Sequence, residues 1–156
     1  MKPGPEHEDF AAWHRHFGVE ANNRAWRLAD QRSGTADDDE LLNAAHAAAW
    51  HWQAIGKEQH HMRATMLLAH VHALRGDGAL ALQYATRMRD FFVAAGNTEA
   101  WELALAHAIH ANAARLSGRR ADYVDSYGKA QAALAEVHNQ EERDILACTF
   151  AHIPAP

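Results

Sequence analysis

Apolar residues recur along this chain at intervals of three and four, the spacing that keeps side chains on one face of an α-helix. Leu41, Ala45, Ala48, Trp52 and Ile55 make one such stripe, and Leu82, Ala85, Met88, Phe92 and Ala95 a second. Trp101, Leu105, Ala108 and Leu116 make a third, and Tyr123, Tyr127, Ala130, Leu134 and Val137 a fourth. Between the stripes, Gly34, Gly56, Gly76 with Gly78, Gly96 and Gly118 recur every 20 to 22 residues. A glycine at such intervals reads as a helix end in the left-handed conformation. The expected helices are Glu8 to Gln31, with Gly18 a candidate break, then Asp37 to Ile55 behind the cap candidates Thr35 and Asp37. Glu58 to Arg75, Ala79 to Ala95, Thr98 to Leu116, Ala121 to Val137 and a short Glu141 to Phe150 follow. Connections of two to five residues force successive helices to run antiparallel, so the expected fold is all-α, a stack of about six to seven helices in hairpins.

Composition narrows the picture without changing it. Alanine fills 35 of 156 positions while Val, Ile and Thr together fill 14, which favours helix over sheet. The four prolines (Pro3, Pro5, Pro154 and Pro156) all stand at the ends, leaving the interior free of the residue that breaks helices. Residues 1–6 are read as a disordered lead, 7–152 as one domain and 153–156 as a tail. The lead carries Glu6 and then Glu8 and Asp9 where a secretory signal would be apolar, and no uncharged stretch reaches the roughly 20 residues of a membrane span. With the single Cys148, these features give a cytoplasmic expectation and no membrane partner. A formal charge of −5 speaks against a nucleic-acid partner.

A shift of 42 residues superposes Leu74-Arg75-Gly76 on Leu116-Ser117-Gly118, Ala79 on Ala121, Asn97 on Asn139 and Glu99 on Glu141, an internal repeat of one helix pair. Within it, Gly76-Asp77-Gly78-Ala79-Leu80-Ala81-Leu82-Gln83-Tyr84 resembles the turn and second-helix opening of a tetratricopeptide repeat (TPR). The period of 42 departs from the family's 34, no proline closes a repeat, and the second copy carries Arg119 and Tyr123 where aspartate and alanine are usual. The resemblance implies a TPR-like α-α superhelix and an interaction role. A wider resemblance, carried by Asn22-Asn23-Arg24-Ala25-Trp26, Asp38-Asp39-Glu40, Ala45-His46, His51-Trp52, Gly56 and Leu67-Leu68-Ala69-His70-Val71, is to a group of uncharacterised bacterial all-helical proteins; it implies the fold and supplies no activity.

Thirteen histidines are the chemical anomaly. His107 and His110, three apart, share a helix face and are the candidate metal pair, although no HExxH or Glu-x-x-His motif accompanies them. His46 and Trp50, four apart, lie off the core stripe, whose Trp52 is expected to be buried while Trp50 is exposed. With His70 and His107 they are the candidate lining of a ligand groove, and Asn22 and Asn23 are candidates to hold a bound backbone. The run Asp37 to Glu40 lacks calcium-loop spacing and suits a helix N-terminus. Ser33, Ser117 and Ser126 lack nucleophile-elbow glycines. The sequence therefore points to a non-catalytic module that binds a peptide or protein partner, with no cofactor. The alternative is a histidine-lined bundle holding a transition metal, with hydrolase or transferase chemistry. A third reading is a homodimer joined through an exposed aromatic stripe.

Overall fold

The computed structural model describes residues 7–156, so the expected lead at 1–6 lies outside the described residues. Seven helices and no strand are found among them: α1 (His7–Asp30), α2 (Asp38–Ile55), α3 (Glu58–Leu74), α4 (Gly78–Ala95), α5 (Ala100–Leu116), α6 (Arg120–Ala135) and α7 (Gln140–Phe150). Each helix from α1 to α5 packs on the next, and α3 also meets α5 and α1 while α7 returns to α5. The result is a stack of antiparallel helix hairpins. No helix among the described residues is long and apolar enough to cross a membrane.

The repeat of 42 residues is visible in backbone bonds. At the end of α3 the Asp77 N–H donates to the His72 carbonyl and the Gly76 N–H to Ala73; at the end of α5 the Arg119 N–H donates to Ala114 and the Gly118 N–H to Arg115. Gly76 and Gly118 both hold positive φ (84° and 71°), which this double closure of a helix end requires. Only the first copy adds a side-chain cap, the Asp77 carboxylate accepting from the Leu80 N–H. Arg119 cannot do so, and no side-chain cap forms there.

Four expectations need correction. Gly18 does not break α1, which is continuous. A Cβ there would meet the Trp52 ring at 3.3 Å, so this glycine lets two helices approach. Gly56 is not left-handed: its φ is −78°, and the missing Cβ is needed because it would lie 2.7 Å from the Trp52 carbonyl oxygen and 2.9 Å from His60 Cβ. A single apolar stripe does not describe α3 or α5, in which unbroken runs (64–73 and 104–114) are buried on every side. These two helices are the centre of the stack, and alanine makes such enclosure possible. Trp52 is half-buried rather than core, stacked on His60 with centroids 5.1 Å apart. Leu41, Ala45 and Ala48 of its stripe are buried, and Trp50 is exposed.

The expected tail at 153–156 starts with a buried residue. Ile153 packs with Ala108 and Ala130, and the Tyr123 hydroxyl donates to the Pro154 carbonyl, which ties the end of the chain to α5 and α6.

Candidate functional site

A cavity of about 350 Å³ lies where α1, α3, α5 and α7 converge, within the size range of ligand pockets. Trp26, Met66, Trp101, Leu105, Ile145 and Leu146 give it apolar walls, and Asn22, Asp30, Arg63, Glu142 and Thr149 supply the polar groups. All four contributing helices are odd-numbered, a consequence of antiparallel hairpins: alternate helices face the same side.

Its charges follow from the packing. Glu102 is 1% exposed, and a carboxylate so enclosed requires partners. Arg63 Nε donates to Glu102 Oε1 at 2.5 Å and Nη2 to Oε2 at 3.3 Å, while the guanidinium lies 5.4 Å from the Trp101 ring centre. The only cation in the lining is thereby neutralised and stacked on the aromatic wall. Asp30 and Glu142 remain as carboxylates on the rim, and burial raises the Asp30 pKa despite the opposing influence of His152. Beneath Trp26, His70 is fully buried and stacked on the indole at 5.5 Å, 24° from parallel, with neither ring nitrogen bonded to a protein group. Burial first, and His152 second, push its pKa down to about 3, so it is a neutral ring.

The residues singled out in the sequence separate. Asn22 lines the cavity and Asn23 faces solvent. His70 supports the wall from behind. His46 is exposed on α2, edge-on to His72 at 5.9 Å, and Trp50 lies on the outer end of the same helix beside His14 and His51. His107 belongs to a different, polar depression with Arg89, Asp90, Asp122, Asp125, Ser126 and Lys129. The structure therefore places His46 and Trp50 on α2, His70 inside the stack and His107 in the polar depression, and does not bring the four together. Trp26, Trp101, Arg63 and Glu142 were missed. The 101-105-108 stripe already held the signal for Trp101, but nothing local marked Arg63 or Glu142.

At the edge of the polar depression Ser126 belongs to a pair that invites comparison with hydrolases. His110 Nδ1 lies 2.7 Å from Ser126 Oγ, both residues being buried. Arg89 Nη1 lies 2.8 Å from His110 Nε2, and a guanidinium only donates. The same Nη1 lies 3.1 Å from His110 Nδ1, so a fixed positive charge sits against both ring nitrogens and opposes the imidazolium that a base activating a serine must become. Burial and then Arg89 bring the His110 pKa down to about 4. That positive charge also disfavours a metal ion at His110, and no three His, Cys, Asp or Glu side chains converge as a metal site among the described residues.

The chain matches no family model, no curated protein and no solved structure. The acidic run at the start of α2 is structural in its bonding: Asp38 pairs with Arg32 at 2.9 Å, Glu40 with Arg24 at 2.6 Å, and Asp39 lies 3.6 Å from Arg75.

Proposed function

We propose that the protein is a non-catalytic, TPR-like interaction module of the cytoplasm, and that the cavity between α1, α3, α5 and α7 receives a segment of a protein partner. The observation that carries this reading is the composition of the cavity wall: two tryptophans and four aliphatic or thioether side chains, whose one cation is already bonded to Glu102, with Asp30 and Glu142 left on the rim. An apolar anchor gains by leaving water there, and a basic side chain beside it gains from the two carboxylates. Asn22 supplies an amide that both donates and accepts, as a bound backbone needs. The TPR-like turn at Gly76 and Asp77, its twin at Gly118 and the hairpin stacking support the superhelical part of the reading.

Peptides selected from a random display library on the immobilised full chain test it. Ile145→Lys and Glu142→Lys change the cavity wall and rim at positions outside the buried core. Both should weaken the selected peptides by about tenfold or more, roughly 1.4 kcal/mol. Peptides that bind both variants as well as the parent would place the binding surface elsewhere.

A further inference from the structure

The outer end of the α1–α2 hairpin carries a second surface, distinct from the cavity. Trp13, Phe17 and Trp50 are 51%, 46% and 63% exposed. Phe10 precedes Trp13 on the same helical stripe. The rings are held in place: Trp13 stacks on Phe17 at 5.6 Å, Phe17 lies 5.7 Å from His51, and His14 lies 5.3 Å from Trp50. His14 Nδ1 and His51 Nδ1, 3.0 Å apart, fasten the two helices beneath them. Such a face is preorganised, so little side-chain freedom remains to be lost on association.

A stack of helical hairpins requires a polar outer face on its terminal units. Here the first hairpin presents aromatic rings instead. We propose that this face pairs with the same face of a second copy of the chain, in a two-fold symmetric dimer.

Three observations select that occupant. Aromatic side chains bury about 150–250 Å² each, so Trp13, Phe17 and Trp50, each about half exposed, offer roughly 240–400 Å². The upper end of that range approaches the apolar share, about 57%, of the roughly 800 Å² each partner contributes to a standard interface. Charge does not oppose self-association, since Arg15 stands among Asp9 and Glu20 on this part of α1. Stacking head-to-tail onto α6 would set the rings against Asp125, Lys129 and Gln131, the first two paired at 2.8 Å, with Val124 its one exposed large apolar side chain. An aromatic face that pairs with the same face of its copy leaves no unsatisfied end, which closes the assembly at two copies.

Sedimentation velocity on the full chain, from about 1 to about 200 µM, tests the proposal. The expected species has twice the 17.3 kDa chain mass at the upper end. Trp13→Glu and Trp50→Glu, on different helices, should each weaken the dimer by at least about tenfold with the far-ultraviolet circular dichroism unchanged. Ile145→Lys, in the cavity, should leave the dimer intact, which separates this surface from the peptide site. A single 17.3 kDa species at every concentration, a dimer indifferent to both glutamates, or growth beyond two copies would overturn it.

Discussion

Arg63 reaches across from α3 to the carboxylate of Glu102 on α5, Nε to Oε1 at 2.5 Å, at a point where Glu102 is closed off from water and Arg63 is not. The pair joins the two central helices at the mouth of the cavity and sets its electrostatics, because it removes the only lining cation from the field a ligand meets. Gln59 adds a weaker donor to the same carboxylate at 3.5 Å.

Removing Arg63 leaves a buried carboxylate with that one weak partner. Arg63→Ala should therefore destabilise the fold by about 2 kcal/mol, less than for a fully enclosed pair because the arginine side is wet. Glu102→Gln, which keeps an acceptor and removes the charge, should cost distinctly less. Urea unfolding at pH 7 measures both, and equal losses would mean that charge pairing is not what Arg63 contributes.

Acid should unfold this protein earlier than carboxylate titration alone would. His51, His60, His70, His72, His107 and His110 all have pKa values lowered from 6.5, mainly by burial, with His70 at about 3 and His110 at about 4. In this window the unfolded chain binds more protons than the folded one, so stability is complete above about pH 6.5 and declines as pH falls toward the folded values. His70→Leu removes one such group, and the stability difference between variant and parent should shift in the variant's favour by up to about 1.4 kcal/mol per pH unit between 6.5 and 4. Urea midpoints across that range read the slope; parallel curves would contradict the neutral, buried assignment of His70.

The two tryptophans of α2 should respond unequally. Trp52 covers Gly18 and stacks on His60, so Trp52→Ala should cost about 2 kcal/mol, below the 3–5 kcal/mol of a fully buried ring. Trp50→Ala, measured under monomeric conditions, should cost under about 1 kcal/mol. Comparable losses would mean that the exposed ring carries packing that its geometry does not show.

Helix positions were legible in the sequence because proline exclusion, alanine content and glycine spacing all act locally. What each glycine does was less so: Gly76 and Gly118 are needed for positive φ, whereas Gly56 and Gly18 are needed for close approach, and sequence spacing cannot separate the two. Apolar periodicity found the outer helices and could not show that α3 and α5 are enclosed, since an alanine face reads the same whether it meets solvent or another helix. The cavity was legible only in Asn22 and in the stripe holding Trp101. Its other members, Trp26, Arg63 and Glu142, come from three helices and meet only through the stacking of alternate hairpins. Histidine count drew attention to His46 and His107, yet those rings lie on other faces.

The indole signals of the five tryptophans in a ¹⁵N–¹H spectrum test the central claim most directly. Trp26 and Trp101 line the cavity, whereas Trp13, Trp50 and Trp52 do not. With the protein held at a dilution where it is monomeric, titration with a display-selected peptide should move the Trp26 and Trp101 signals together and leave the other three in place. Movement of Trp13 and Trp50 with Trp26 and Trp101 unmoved would contradict the assignment of the cavity as the binding site.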